Sequence, residues 1–334
     1  MTDKSYRWIG PFRVDSHLGS GATGEVFLAE DPSLGRKVAI KILKHDYKYD
    51  HEFRNRFLRE ARSMASLTNQ NVVAVHAIGD EEGVPYMVME YMKGNDLLLY
   101  LEEKGPLSIP YALDIFMDVI SGLKSASELK IIHRDIKPAN IFLSEDNHAK
   151  IGDFGLARAE IDAAMTADGV IIGTPDYLAP EVIEGKKSTL KSDIYSLGCS
   201  FYHAVTGTPP FRTPGDDSTS GQVLARQLSD PPPPLNVAGT PRSLRKIILQ
   251  MMDKNPDKRP GYDKVVEFFK KSRKSETLTI SIPRLSTIAA TIVSSPDDMD
   301  DFTDESDGIH PLLLISMGFA ISAGIIAAGI IFLS

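Results

Sequence analysis

The sequence predicts an α+β fold of two lobes: a small antiparallel β-sheet with one helix, then a mainly helical lobe. It also predicts a C-terminal transmembrane helix. Short, β-branched or alternating segments fill much of the first ninety residues. Periodic apolar segments of helical spacing dominate from there to about residue 272. Residues 311–334 contain no charged side chain. A chain of 334 residues is long enough for two lobes and appendages.

The N-terminal lobe is predicted over residues 8–91. Turns that contain glycine or aspartate separate its short strands, which we expect at 12–19, 25–30, 37–43, 72–78 and 85–90. Apolar residues recur at helical spacing between residues 50 and 66, so one helix is expected there.

The C-terminal lobe is predicted over residues 92–272. Its most periodic helix surrounds residues 112–123, with Pro110 near the first turn, where proline is tolerated. Further helices are expected at 191–206, 219–228, 241–252 and 261–272.

The composition changes after residue 272. Residues 273–310 are rich in serine and threonine and then acidic, which predicts a flexible linker. Residues 311–333 follow as the predicted transmembrane helix, because about 1.5 Å of rise per residue lets them cross a hydrocarbon core of roughly 30 Å. The alternative is a buried helix of the globular part, which the polar segment before it disfavours.

Charge and cysteine content exclude some functions. The net charge of -8 argues against nucleic acid as a partner. The one cysteine, Cys199, allows no internal disulfide and suits a reducing compartment. No apolar signal sequence opens the chain.

A glycine-rich segment lies between the first two predicted strands. Gly19, Gly21, Gly24 and Val26 have the spacing GxGxxGxV. Glycines let backbone amides approach phosphate oxygens closely. A dinucleotide-binding turn has a similar pattern, but it opens a helix, whereas here a strand follows. We therefore predict a glycine-rich hairpin over a nucleotide.

A buried ion pair is expected in the N-terminal lobe. Strand alternation places Ala39 and Lys41 on the face toward the nucleotide. Glu60 lies on the apolar face of the predicted helix, where a carboxylate is costly to bury without a partner. Lys41 is the predicted partner; the alternative is a solvated lysine and a glutamate at the edge of the face.

Two further segments carry the predicted chemistry. The tripeptide Asp153-Phe154-Gly155 begins thirteen residues after the end of the segment His133–Asn140. Asp135 is the predicted group that accepts or orients the proton of an acceptor hydroxyl, and Lys137 could neutralise charge on a transferring phosphoryl group. Asn140 and Asp153 offer oxygen ligands that suit Mg²⁺.

These motifs resemble those of a eukaryotic-type (Hanks-type) serine/threonine protein kinase over roughly residues 8–272, of the bacterial membrane-anchored branch. The resemblance extends to Ala179-Pro180-Glu181, Asp193 and Arg259. It implies the bilobal protein-kinase fold and transfer of the ATP γ-phosphoryl group to serine or threonine of proteins, with ATP and Mg²⁺ as cofactors.

The resemblance also implies individual roles. Glu181 would pair with Arg259, and Asp193 would brace the backbone of the catalytic loop. Further nucleotide-binding positions follow, with Glu90 and Met92 offering backbone hydrogen bonds to adenine and the others packing around it: Leu18, Val26, Ala39, Glu90, Met92 and Phe142.

The sequence also leads to expectations about how the protein is regulated and where it is located. Thr166 is the only hydroxyl-bearing residue between Gly155 and Gly173, so we expect autophosphorylation there. Small residues at 320, 324 and 328 would allow the transmembrane helix to form a homodimer. The kinase domain is expected in the cytoplasm, where ATP is. The alternatives are a membrane-anchored pseudokinase scaffold that binds nucleotide and a small-molecule phosphotransferase of the same fold.

Overall fold

The structure is a computed structural model of the full chain. It describes residues 6–21, 24–154, 174–212 and 218–279, the last five of these by their backbone alone. The predicted transmembrane helix and most of the predicted linker lie outside the described residues. Among the helices that are described, none combines the length and apolar character needed to span a bilayer.

A six-stranded antiparallel sheet forms the N-terminal lobe, in the spatial order β1-β2-β3-β4-β6-β5. Its strands are β1 Trp8–Ile9, β2 Phe12–Ser20, β3 Gly24–Asp31, β4 Arg36–Leu43, β5 Val75–Glu81 and β6 Val84–Glu90. The first three predicted strands are confirmed to within one residue at each end. Strands β4 and β6 lie inside the sheet, and their apolar side chains form the core of this lobe.

Helix α1 (His51–Ala65) packs against this sheet. Asp50 caps it by accepting hydrogen bonds from the backbone N–H groups of Glu52 and Phe53. The buried face carries Phe57, Ala61 and Met64. Glu60 lies on this face and is 4% exposed, so the helix delivers one carboxylate into an apolar surface.

The predicted strand at 72–78 begins three residues too early. The backbone of Val73 donates to the carbonyl of Ile151 at 3.0 Å, and that of Ile151 donates to the carbonyl of Asn71 at 2.9 Å. The segment before β5 is therefore bonded to the C-terminal lobe. Apolar alternation predicts an extended chain but not which strand it pairs with.

The second lobe is mainly helical, with a short antiparallel hairpin, β7 Ile141–Leu143 and β8 Ala149–Ile151. Its helices are α2 Leu97–Lys104, α3 Ile109–Glu128, α4 Pro180–Ile183, α5 Leu190–Thr206, α6 Ser220–Ser229, α7 Arg242–Met251 and α8 Tyr262–Thr279. Phe116, Phe201 and Phe269 join α3, α5 and α8, with ring centroids 5.1 and 5.3 Å apart. Sequence periodicity did not predict α2.

Helix α8 continues through residues 273–279, which the sequence assigns to the flexible linker. Ser272 is fully buried, and Arg273 Nη2 donates to Asp114 Oδ2 of α3 at 2.7 Å. These contacts support the helix past residue 272. The polar composition of this segment does not reveal these contacts, because they are made with α3, more than a hundred residues earlier in the chain.

Candidate active site

Lys41 is the centre of the site in the N-terminal lobe. Its Nζ lies 3.0 Å from Glu60 Oε1 and 3.0 Å from Asp153 Oδ1. Burial alone would lower the pKa of Lys41, but the two carboxylates outweigh it and hold the pKa above its usual value. Lys41 is therefore a permanent cation. The predicted pairing with Glu60 is confirmed.

The two carboxylates that contact Lys41 differ in their titration. The charge of Lys41 is the main reason that the pKa of Asp153 is lowered, which keeps this carboxylate ionised. Burial raises the pKa of Glu60, and Lys41 opposes that rise. Removing Lys41 would leave both carboxylates without their cation. The pKa of Glu60, which burial already raises, would rise further, and the pKa of Asp153 would no longer be held low.

The segment from His133 to Asn140 connects α3 to β7 and carries the predicted acceptor-binding carboxylate. Asp135 Oδ2 accepts hydrogen bonds from Lys137 Nζ at 2.9 Å and from Asn140 Nδ2 at 3.1 Å. Asn140 Nδ2 also donates to the backbone carbonyl of Asp135 at 2.7 Å. These bonds orient the Asp135 carboxylate and direct the amide nitrogen of Asn140 toward it, which turns the amide oxygen the other way.

Asp193, on α5, holds the backbone of this segment from below. Its two oxygens accept the N–H groups of His133 and Arg134 at 2.8 and 2.9 Å. Burial raises the pKa of Asp193 to about 6, against the effect of these hydrogen bonds. These two hydrogen bonds are the bracing contact with the catalytic-loop backbone that the resemblance implies for Asp193.

His133 is a packing residue in the structure. Its Nε2 contacts the carbonyl of Gly152 at 3.0 Å, and its Nδ1 accepts the backbone N–H of Asp135 at 3.3 Å. Burial lowers the pKa of His133 to about 4. The ring is therefore neutral at physiological pH and supports the residues around it without transferring protons.

Two non-glycine residues of the site have left-handed backbone conformations. The φ angles are 70° at Arg134 and 51° at Asp153. Such conformations cost on the order of 1–3 kcal/mol each and persist only where neighbouring contacts hold them. At Arg134 the bond to Asp193 does so, and at Asp153 the ion pair with Lys41 does.

A cavity of about 410 Å³ lies between the sheet and the β7–β8 hairpin. Eight of the predicted site residues line it: Leu18, Gly19, Val26, Ala39, Glu90, Met92, Phe142 and Asp153. Lys41 is not part of the lining, but its Nζ contacts Asp153, which is. Its size and its mixture of apolar walls and polar groups suit a small organic ligand.

Gly21 and Gly24 lie at the end of the β2–β3 hairpin, away from the lining of this cavity. The N–H of Gly21 donates to the carbonyl of Gly24 at 2.8 Å. A Cβ on Gly24 would lie 2.7 Å from the carbonyl oxygen of Ile42, so a larger residue does not fit there. Residues 22 and 23, at the tip, lie outside the described residues.

Several lining residues escaped the sequence prediction. Val73 lines the cavity because its segment pairs with β8, and Gly94 and Asp96 do so from the connection between β6 and α2. A Cβ on Gly94 would lie 1.8 Å from the carbonyl oxygen of Leu143. The Gly-Asn pair at 94–95 is a turn signal that could have marked this connection.

The donor set fits a magnesium ion. Among the described residues, no group of three or more His, Cys, Asp or Glu side chains forms a metal site. Asn140 and Asp153 alone would provide protein oxygens. Mg²⁺ commonly takes one or two protein ligands and completes its shell with water and phosphate oxygens, so this sparse set suits it.

Comparison with known proteins agrees with this geometry. The protein kinase domain family matches residues 12–268. The chain belongs to this family. It is 38% identical over 250 residues to the serine/threonine-protein kinase PrkC of Bacillus subtilis, covering 75% of this chain and 38% of that protein. It is 39% identical over 255 residues to the serine/threonine-protein kinase PknB of Mycobacterium tuberculosis, covering 74% of this chain and 40% of that protein.

The match therefore spans about two fifths of the length of each of these relatives. Within the kinase domain, the structure brings together Lys41, Glu60 and Asp153, and separately Asp135, Lys137 and Asn140. The backbone of Gly152 links the two groups, since it donates to the carbonyl of Asn140 at 3.0 Å. Thr166 and Gly155 lie outside the described residues.

Proposed function

We propose that this chain is a serine/threonine protein kinase that transfers the γ-phosphoryl group of ATP to hydroxyl groups of proteins. The observation that carries the proposal is the position of Lys41, whose ammonium lies 3.0 Å from both Glu60 and Asp153, the latter in the lining of the cavity. Glu60 orients the cation, and Asp153 brings a metal ligand beside it. The names of the similar bacterial proteins support serine and threonine as acceptors.

The residues of the chain divide the reaction between them. Lys41 binds phosphate oxygens, and Asn140 and Asp153 would hold Mg²⁺, which supplies positive charge between phosphate groups when it is bound. Asp135 accepts the proton of the acceptor hydroxyl. Lys137, 2.9 Å from Asp135, is placed to neutralise charge on the transferring group. Positioning and electrostatic stabilisation account for most of the rate enhancement, since the transition state is loose.

The location and regulation of the enzyme complete the proposal. Residues 311–333 anchor the chain in a membrane by one helix, with the kinase domain in the cytoplasm; the absence of charged side chains in this segment supports it. Autophosphorylation at Thr166 raises activity. The small residues Ala320, Gly324 and Ala328 let two copies associate, which favours phosphorylation between them.

The test is phosphosite mass spectrometry of the purified full chain after incubation with MgATP, beside an Asp153→Asn control. We use the full chain because α8 extends to Thr279, so truncation at residue 272 would cut a helix. Phosphate on serine or threonine in the wild-type protein, absent in the control, is the expected result. Nucleotide binding without phosphate on the chain or on added protein substrates would refute kinase activity and favour the pseudokinase scaffold.

A further inference from the structure

An ion pair joins the two lobes beside the cavity, through Glu90, one of the lining residues. Lys150 Nζ, on β8, donates to both carboxylate oxygens of Glu90, at the end of β6, at 2.6 and 2.8 Å. The backbone N–H of Ala74 also donates to Glu90 Oε2, at 3.3 Å. The side chains of Lys150 and Glu90 are 24% and 29% exposed, so the pair is partly shielded from solvent.

The pair lies next to groups that form the nucleotide site. Lys150 precedes Asp153 by three residues. In the β7–β8 ladder Lys150 is the direct partner of Phe142, and both Phe142 and Glu90 line the cavity. We call the connection between β6 and α2, residues 91–96, the hinge. The ion pair connects the strand that ends at the hinge to the strand that leads to the metal-binding carboxylate.

The same hairpin holds the other end of the hinge. The N–H of Leu143 donates to the carbonyl of Asn95 at 3.0 Å, and Asp96 forms a bridge with Phe142. Gly94 packs so closely on Leu143 that no Cβ fits between them. These backbone contacts hold the C-lobe end of the hinge, whereas the Lys150–Glu90 pair ties its N-lobe end to β8 through side chains.

We propose that Lys150 is a positioning residue for the nucleotide site. Together with the backbone hydrogen bonds between Asn71–Val73 and Ile151, it holds β6 near β8, and so favours the arrangement in which both lobes contact one nucleotide. Loss of the pair lets the lobes separate in part of the molecules. The apparent affinity for the nucleotide then falls in proportion to the fraction of molecules that remain in the binding-competent arrangement. The inference rests on the proposed function for the identity of the ligand.

Two ligands separate this role from a general effect on folding. Adenosine reaches the hinge but has no phosphate, whereas MgADP also extends toward Asp153. Calorimetry on the full chain compares their affinities in the wild-type protein and in Lys150→Met. We expect MgADP binding to weaken by about two- to fivefold, within the range of a single partly exposed ion pair, and adenosine binding to change much less.

The controls use pairs already present in the chain. Lys124→Met breaks an exposed contact with Asp263 of similar length, 2.6 Å, and should leave both affinities unchanged. The exchange of charges in Glu90→Lys/Lys150→Glu should recover MgADP affinity relative to Lys150→Glu alone, because the contact is re-formed with opposite polarity.

Each outcome decides something. Equal MgADP affinity in the wild-type and Lys150→Met proteins would overturn the inference and leave the proposed function intact. Equal weakening of adenosine and MgADP, or no recovery on charge exchange, would show that Lys150 only supports the fold. If titration of MgADP into the wild-type protein gave no more heat than titration into buffer, the proposed function itself would be refuted.

Discussion

Arg259 offers the sharpest test of the energetics of the C-terminal lobe. Its guanidinium is fully buried and binds both oxygens of Glu181, with distances of 2.7 and 2.8 Å. Arg259 also donates to three backbone carbonyls, those of Lys191, Asp253 and Lys254, at 2.8, 2.8 and 3.2 Å. One side chain therefore joins the start of α4, the start of α5 and the turn after α7.

Arg259→Met preserves most of the volume but removes all five hydrogen bonds. A carboxylate with a side chain 8% exposed is then left without its cation, and three carbonyls lose a donor. Removing one partner of a buried ion pair costs about 3–5 kcal/mol. Since single domains are stable by about 5–15 kcal/mol, the change removes a large part of the total.

The effect should depend on pH, with a defined sign. Burial would raise the pKa of Glu181, but hydrogen bonds from Arg259 and Ser192 outweigh it, and the pKa lies below its usual value. The stability that this provides is present above the pKa of unfolded glutamate and is lost as pH falls through the lower folded pKa. In Arg259→Met burial is opposed only by the hydrogen bonds from Ser192 and from the backbone of Glu181, so Glu181 protonates more readily and the penalty shrinks as pH falls from 7.5 toward 4.5.

The assay is urea unfolding of the full chain at pH 7.5 and 5, followed by far-ultraviolet circular dichroism. The single tryptophan, Trp8, lies in the N-terminal lobe and would report poorly on this region. Lys124→Met, which breaks an exposed pair, is the control and should leave the free energy of unfolding nearly unchanged. A loss below about 1 kcal/mol for Arg259→Met, or the same loss at both pH values, would refute the reasoning.

Three further predictions concern the site and its support. Asp135→Asn should lower phosphoryl transfer by about 10²–10⁴-fold with MgADP affinity unchanged by calorimetry; wild-type turnover would contradict the role of this carboxylate. Burial holds the pKa of His203 at about 4, so the folded state resists protonation and the free energy of unfolding falls as pH drops from 6.5 to 4. His203→Gln should remove about 3 kcal/mol of this fall, measured by urea unfolding across that range. A pH profile of stability equal to that of the wild type would refute the role of His203. Gly94→Ala should weaken adenosine binding and lower the melting temperature, since its Cβ would lie 1.8 Å from the Leu143 carbonyl oxygen; a variant equal to wild type in both measurements would show that the hinge adapts.

Contiguous motifs carried most of what could be predicted about the site. The glycine spacing at 19–24 and the segments around Asp135 and Asp153 each combine several residues whose chemistry depends on short separations along the chain. Alternation in β4 and helical spacing in α1 then placed Lys41 and Glu60 on facing surfaces, and the structure has them 3.0 Å apart. Local periodicity sufficed here because each element buries one face.

Contacts between distant segments were not predictable in this way. The ion pair of Glu90 with Lys150 joins residues 60 apart, and the start of β5 depends on pairing between Asn71–Val73 and Ile151. Helix α2 has a short apolar pattern that fits several structures, and its cap, Asp96, is recognised only once the hinge is in place. Each of these depends on which surfaces meet, which composition and periodicity do not specify.

By itself the sequence determined the order of the elements, the residue types that bind and orient, and the family to which they belong. Those properties follow from local spacing, since backbone geometry repeats every few residues. Only the tertiary structure decided which of these residues meet. Lys41 and Asp153 are 112 residues apart and lie 3.0 Å from each other because packing of the two lobes closes the chain between them.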